Sequence, residues 1–240
     1  MAGTMLHPPR RKTAADEAET ALFQGIMDGT IPPGAPLRLQ DLADQLDMSM
    51  MPIREAIRRL QGLGLVEVVA HKGAWVRPLT VEDLYDTYFT RIHLESVAVR
   101  EAAARRMPDD LVERARSAFH ARQEAFGRGD LLASRDAHER FHFALYEASG
   151  STWLTHSIWP VWRNSERYRN ESMRNPEHRA ARDAEHMGMF EALQAGDGPN
   201  AVRLLVQHLT TSCHLVASAL EPSANGSPPR ALPTADEFLR

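Results

Sequence analysis

The chain lacks several features that define other classes of protein. It has one cysteine, Cys213, which excludes an intramolecular disulfide framework and suits a reducing compartment. It has no run of about 18 apolar residues, so no membrane-spanning helix is predicted. Its first residues, MAGTMLHPPRRK, lack the apolar segment of a secretory signal. Together these absences predict a protein that works in the cytoplasm and away from the membrane.

The chain also lacks an excess of basic charge. Its formal net charge is −4, which by itself argues mildly against binding to nucleic acid. A DNA-binding domain need only be basic locally, however, and residues 52–61 hold three arginines against the single acid Glu55. A length of 240 residues, of which 43% are hydrophobic, is comfortable for two folded domains. Charge therefore permits DNA binding without predicting it.

The stretch 41–65, DLADQLDMSMMPIREAIRRLQGLGL, predicts two short helices and a tight connection. Leu42 and Leu46 share one face of the first helix. Ser49 is placed to cap the second helix, and Pro52 falls in its first turn, where no backbone N–H is needed. A buried stripe then follows at Ile53, Ile57 and Leu60. This spacing is typical of a helix-turn-helix, whose second helix lies in the DNA major groove.

A two-stranded hairpin is predicted directly after these helices. Residues 65–69 are rich in β-branched side chains, 71–73 form a turn, and 74–76 return. The hairpin would form a wing with Lys72 at its tip. The alternative interpretation of the whole segment is a small helix pair with a hairpin and solvated arginines.

From Thr80 onward the sequence is almost wholly helical. Six helices with short joints predict an antiparallel bundle, in which Pro160 would kink the fourth helix. Their predicted starts are Thr80, Pro108, Asp130, Thr152, Asn175 and Asn200. The expected fold is therefore mainly α. It comprises a disordered tail (1–12), a winged helix-turn-helix (13–78), an all-α six-helix bundle (79–220) and a flexible tail (221–240).

Four of the eleven histidines fall on inward faces of the predicted bundle. His138 and His142 lie four residues apart on the third helix, His186 lies on the fifth, and His208 on the sixth. Burial of four imidazoles without partners is costly, and one divalent metal ion would satisfy all of them. The alternative is that each is a core histidine hydrogen-bonded to its neighbours.

Residues 26–79 resemble the winged helix-turn-helix of the GntR family of bacterial transcription regulators. The matching pieces are Gly29, Pro33-Gly34, Leu42-Ala43, Ser49, Pro52-Ile53-Arg54-Glu55-Ala56, Gly64-Leu65 and Lys72-Gly73. The resemblance implies that DNA is contacted by Ser49, Met50, Met51, Arg54, Arg58, Lys72 and Gly73. The family often has Ser-Arg-Thr-Pro where this chain has Ser-Met-Met-Pro. Because Met50 cannot make the bidentate contact of arginine with guanine, the operator sequence cannot be borrowed from relatives.

Residues 80–220 resemble the FCD ligand-binding domain of the FadR subfamily of these regulators. The matching segments are Arg91…Leu94-Glu95, Phe141-His142…Leu145…Ala148-Ser149-Gly150, Glu185-His186…Ala192-Leu193…Gly196-Asp197 and Ala201…His208. The resemblance implies a metal bound by His142, His186 and His208. The fourth ligand position is His138, where Asp or Asn is more usual. A fourth nitrogen ligand in place of a carboxylate favours zinc or nickel over a hard, oxygen-preferring metal.

The same resemblance makes Arg91 a candidate to bind a carboxylate effector together with the metal. The alternative for Arg91 is a salt bridge with Glu95, one helical turn away.

The expected function is a homodimeric transcription regulator, most simply a repressor, whose affinity for operator DNA is controlled by a small organic acid. One alternative is a regulator that senses metal without an organic effector. The other is a metal-dependent hydrolase, against which the chain offers no HExxH motif.

Overall fold

The computed structural model describes residues 12–172, 179–220 and 229–239. The chain separates into two compact units, Met1–Pro78 and Leu79–Arg240. Across the described residues, no helix combines the length and apolar character needed to cross a bilayer.

The first unit contains three helices followed by a two-stranded antiparallel sheet. Their bounds are α1 Ala14–Asp28, α2 Leu39–Leu46, α3 Met50–Gly62, β1 Val66–Val69 and β2 Gly73–Val76. A capping box of Thr13 and Asp16 starts α1, and Gly29 ends it with a positive φ of 85°. In the sheet, Val66 pairs with Val76 and Val69 with Gly73, so the chain forms the predicted wing.

The connection between α2 and α3 is as short as predicted. Asp47 adopts a left-handed conformation, and the N–H of Met48 donates to the carbonyl of Ala43, which closes the end of α2. Ser49 occupies the N-cap position of α3, but its hydroxyl makes no capping hydrogen bond, contrary to the expectation. The inner face of α3 packs on α1 through Ile53, Ala56, Ile57 and Leu60, all of which are buried.

The second unit is a bundle of six described helices, which confirms the predicted mainly helical fold. Their bounds are α4 Val81–Arg105, α5 Asp109–Gly127, α6 Leu131–Glu147, α7 Thr152–Ser172, α8 Arg179–Gln194 and α9 Gly198–Ala217. Thr80 caps α4 through the N–H of Asp83, and Pro160 lies within α7. The predicted helix start at Asn175 lies outside the described residues. α5 packs on α6, while α4 packs on both α7 and α9.

Residues 229–239, which belong to the predicted flexible tail, pack against the helices of the second unit. Leu232, Phe238 and Leu239 pack against the core of the bundle, and a 3-10 turn at Ala235–Glu237 contacts α9. Arg230 lies 3.5 Å above the ring of Phe89. The prolines of this segment led to the prediction of a loose tail. Its apolar residues, however, cover surface that α4 and α9 would otherwise expose.

Replacing Phe238 by alanine is expected to lower the free energy of unfolding by about 1–2 kcal/mol. The side chain is only half-buried, so the loss should be smaller than for a fully buried phenylalanine. Urea denaturation of the full-length protein measures the change, with the exposed Asp236→Ala as the control from the same turn. Equal midpoints for Phe238→Ala and wild type would mean that the segment does not hold to the bundle in solution.

Candidate metal centre and DNA-binding face

The four predicted histidines converge at one point inside the second unit. His138 and His142 come from adjacent turns of α6, His186 from α8 and His208 from α9. Their candidate ligand atoms all lie within 4.8 Å of one another. The Nε2 atom of His138 is 3.0 Å from Nε2 of His186 and 3.1 Å from Nε2 of His142. Helical periodicity thus identified four side chains that the fold brings together.

All four histidines have their second ring nitrogen, Nδ1, engaged outside the cluster, and for two of them the partner is an acceptor oxygen. Nδ1 of His186 contacts the carbonyl of Arg182, and Nδ1 of His208 lies 2.8 Å from the Glu185 carboxylate. Since both partners can only accept, each Nδ1 carries the proton. Their Nε2 lone pairs therefore face the cluster, as metal ligation requires.

His142 reaches the same tautomer through a tyrosine. Its Nδ1 lies 3.0 Å from the hydroxyl of Tyr146, which itself donates to the carboxylate of Glu95. Because that hydroxyl has one proton and gives it to Glu95, it accepts from Nδ1–H of His142. A continuous series of contacts, Arg91–Glu95–Tyr146–His142, therefore joins α4 to the histidine cluster.

His138 is placed differently from the other three. Its Nδ1 lies 3.3 Å from a guanidinium nitrogen of Arg169, which can only donate a hydrogen bond. The neutral ring of His138 therefore carries its proton on Nε2, pointing into the cluster. In this arrangement three histidines direct an Nε2 lone pair into the cluster, and His138 directs an Nε2–H donor into it. The difference falls at His138, the one ligand position where the resemblance led us to expect Asp or Asn.

Burial keeps the cluster neutral. It lowers the pKa values of His138, His142 and His186 well below the usual range, and the positive charges of neighbouring histidines and arginines add to the effect. Burial, together with the positive charges of nearby arginines, lowers the pKa of His208 to about 3. Neutral imidazole is the form that binds a transition metal, so the donor set fits such an ion near neutral pH.

Arg91 makes the salt bridge that the sequence offered as the alternative to effector binding. The side chain is fully buried, with Nε 2.6 Å and Nη2 3.3 Å from the two carboxylate oxygens of Glu95. Its Nη1 donates to the hydroxyl of Ser165. The guanidinium also lies 4.7 Å from the ring of Trp162. Arg91 is thus held in place by contacts within the protein.

Sequence reasoning missed a second buried cation beside the cluster, Arg169. It contacts His138 and lies 4.3 Å from the ring of Trp162, on the inner face of α7. Trp162, Ser165 and Arg169 recur at i, i+3 and i+7, which would have placed them on one face. Because arginine is rarely buried, the residue type alone gave no signal for this position.

A groove of about 710 Å³ lies between α3 and the wing of the first unit. No acidic residue lines it. Its polar lining is cationic and its floor is apolar, with Arg38, Arg54, Arg58 and Lys72 beside Leu37, Leu39, Ile57, Val68 and Trp75. The predicted residues Arg54, Arg58, Lys72 and Gly73 all line this groove, and Ser49, Met50 and Met51 are exposed at the start of α3. Arg38 is a further cation that the sequence did not single out.

Arg59, grouped with Arg54 and Arg58 in the sequence, does not belong to this face. Its guanidinium lies 2.8 Å from Asp16 and 3.0 Å from Glu19 on α1, and 3.3 Å from Glu55. It therefore holds α3 against α1 and is not available to DNA.

Comparison with known proteins assigns both units. Residues 14–76 match the model of bacterial regulatory proteins of the gntR family, and residues 86–211, just over half of the chain, match the FCD domain. The chain belongs to the GntR family. It is accordingly a DNA-binding transcription regulator, and the hydrolase alternative is wrong because the family consists of regulators.

Several GntR relatives are similar over most of their length. A "Probable D-xylose utilization operon transcriptional repressor" from Paenarthrobacter nicotinovorans is 32% identical over 87% of this chain and 90% of that protein. The repressor RspR of Escherichia coli (strain K12) is 25% identical over 78% of this chain and 82% of its own. The solved structure of E. coli McbR/YncC has a TM-score of 0.73 at 23% identity, covering 86% and 98%, and so supports the fold.

Proposed function

We propose that this GntR regulator is a homodimeric repressor whose operator affinity is controlled by a small carboxylate bound at a metal in the histidine cluster. The observation that carries the proposal is the convergence of four buried imidazoles, three of them with Nε2 lone pairs directed inward. Since its target is chromosomal DNA, the protein would act in the cytoplasm.

His142, His186 and His208 would hold the ion, and nitrogen donors favour zinc or nickel. Such an ion, when bound, supplies an electrophilic position for a carboxylate oxygen. His138 would join as a fourth ligand only by moving its proton to Nδ1 and giving up the contact with Arg169. In the arrangement described above, it would instead donate a hydrogen bond from Nε2 towards the bound acid.

The surroundings of the cluster suit an anionic effector. The hydroxyl of Tyr88 and the indole N–H of Trp162 are buried and, in the described part of the chain, have no hydrogen-bond partner. Such groups are costly to leave unsatisfied, and a ligand with acceptor oxygens would satisfy them. Arg91 and Arg169 lie near Tyr88. Burial raises the pKa of the Tyr88 hydroxyl, and the two positive charges lower it by a smaller amount. Arg91 would bind the carboxylate of an effector only by giving up its pairing with Glu95. Its first role is therefore to position the series of contacts Arg91–Glu95–Tyr146–His142.

Coupling to DNA would follow from the geometry of a dimer. Two winged helices must match two half-sites of a duplex at a fixed spacing. A change in the helical domain on effector binding would alter that spacing and thereby the affinity for the operator.

The direct test measures operator binding by the metal-loaded protein with and without a panel of small carboxylic acids, repeated after treatment with a chelator. A response to one acid that disappears with the chelator supports the proposal. The same acid should raise the melting temperature only of the metal-loaded protein.

A second candidate function is metal sensing without an organic effector. It is favoured by the presence of a fourth histidine in the cluster. If His138 moved its proton to Nδ1, four protein ligands would make a closed tetrahedral site with no position for a carboxylate. If metal alone switches operator affinity and no acid adds to the effect, this second function is the correct one.

Arg54→Ala is expected to weaken operator binding by about 1–3 kcal/mol if the side chain reads a base, and to leave metal content unchanged. Arg54 is exposed, lines the groove, and among the described residues has no acidic partner. Fluorescence anisotropy at fixed salt measures the affinity, with the exposed Arg100→Ala on α4 as a charge-matched control. An unchanged affinity of Arg54→Ala for the operator would contradict the assignment of α3 as the recognition helix.

A further inference from the structure

Two methionines form an exposed apolar patch at the start of α3. Met50 and Met51 lie in its first turn, and these residues are 46% and 71% exposed. Met51 lies opposite the buried stripe that packs on α1, and Met50 lies at the edge of that stripe, one turn before the exposed Arg54. In a helix-turn-helix, the residues at the start of the second helix are those that approach base edges. The protein therefore presents thioether side chains at the position where it meets DNA.

The charge around the two methionines indicates the kind of partner they face. Met50 and Arg54 lie one turn apart on the same side of α3, next to the groove lined by four cations. Val68, another exposed apolar side chain of this unit, also lines that groove. Apolar side chains bordered by positive charge, with no acid among the groove residues, fit a polyanion that carries small apolar groups. Duplex DNA has this combination, whereas the apolar surface of a protein does not require the cations.

The chemistry of methionine restricts what it can read on DNA. It has no hydrogen-bond donor and only a weak acceptor, so it cannot pair with the polar edges of guanine, adenine or cytosine. The major groove displays one apolar group, the C5 methyl of thymine. A flexible, polarisable thioether packs well against such a group.

We propose that Met50 and Met51 recognise thymine methyl groups in the operator half-site. They would set sequence preference by apolar contact, while Arg54, Arg58 and Lys72 bind the backbone or the neighbouring bases. This inference rests on the operator binding assigned above.

The experiment begins with selection of preferred duplexes from a random library by the full-length protein. Each thymine of a selected half-site is then replaced by uracil, which differs only in lacking the methyl group. Uracil at a contacted position is expected to weaken binding about four-fold, the value for one buried methyl-sized group. Uracil at thymines outside the contacted positions should leave affinity unchanged.

Protein variants connect the effect to the two side chains. Met50→Ala and Met51→Ala should each bind the thymine duplex more weakly and lose the response to uracil at one position. Leu132→Ala, an equally exposed apolar residue of the second unit, should retain the full response. Circular dichroism checks that α3 stays folded, which is expected because both methionines are exposed.

Three results would overturn the inference while leaving DNA binding intact. They are selected half-sites without thymine, tight binding that ignores uracil at every position, and methionine variants that keep the full response. Failure to prefer any duplex would instead overturn sequence-specific operator binding itself. The two failures are therefore distinguishable.

Discussion

Replacing Glu95 by alanine is expected to lower the free energy of unfolding by about 3–5 kcal/mol. The substitution removes the carboxylate that pairs with Arg91 and leaves its guanidinium buried beside the hydroxyl of Ser165 and the rings of Tyr88 and Trp162. An uncompensated buried charge is far more costly than the loss of an ion pair in water. Denaturant titration of the full-length protein, followed by circular dichroism, measures the difference.

Two further variants separate this explanation from simple loss of packing. Arg91→Met combined with Glu95→Leu removes both charges, and should recover most of the lost stability. Glu147→Ala breaks the exposed pair of Glu147 with Arg114, and should cost less than about 1 kcal/mol. If Glu95→Ala were no more destabilising than Glu147→Ala, the conclusion that the Arg91–Glu95 pair is buried would be wrong.

His186→Ala is expected to lower the affinity for zinc or nickel by more than about 100-fold, because loss of a ligand exceeds the 10- to 100-fold effect of losing one of its hydrogen-bond partners. The winged helix and its non-specific DNA binding should be retained. Metal content after dialysis and a competition titration with a chromophoric chelator measure the affinity. His214→Ala, an exposed histidine on α9, is the matched control.

Graded variants test the unequal placement of the four imidazoles. His142→Ala and His208→Ala should resemble His186→Ala, whereas His138→Ala should cost less because its proton already points into the cluster. Tyr146→Phe removes only the partner of His142 and should fall between the two. Equal losses at all four positions would establish His138 as a full ligand.

Periodicity in the sequence predicted the recognition helix and the histidine cluster. The stripe at Ile53, Ile57 and Leu60 repeats within one helix, so its buried face can be read without knowing the fold. The same holds for His138 and His142. Their convergence with His186 and His208 follows once the predicted helices form one bundle, because each helix turns its apolar face to a common centre.

What the sequence could not predict depends on contacts between distant segments. Arg59 looks like a DNA-binding arginine until Asp16 and Glu19 are placed beside it by the packing of α1 on α3. The burial of Arg169 depends on how α7 is rotated about its own axis, which the packing of the bundle determines. The packing of Phe238 depends on an apolar surface shared by two helices, which no local pattern reveals.

Trp162 gives this regulator a built-in optical probe. Its indole is fully buried, lies within 5.4 Å of the ring centre of His138, and is flanked by the guanidinium groups of Arg91 and Arg169. A paramagnetic ion such as nickel at the imidazoles would sit close enough to quench its emission, while the exposed Trp153 would continue to fluoresce. Occupancy of the site by nickel can thus be followed by intrinsic tryptophan fluorescence during a DNA titration.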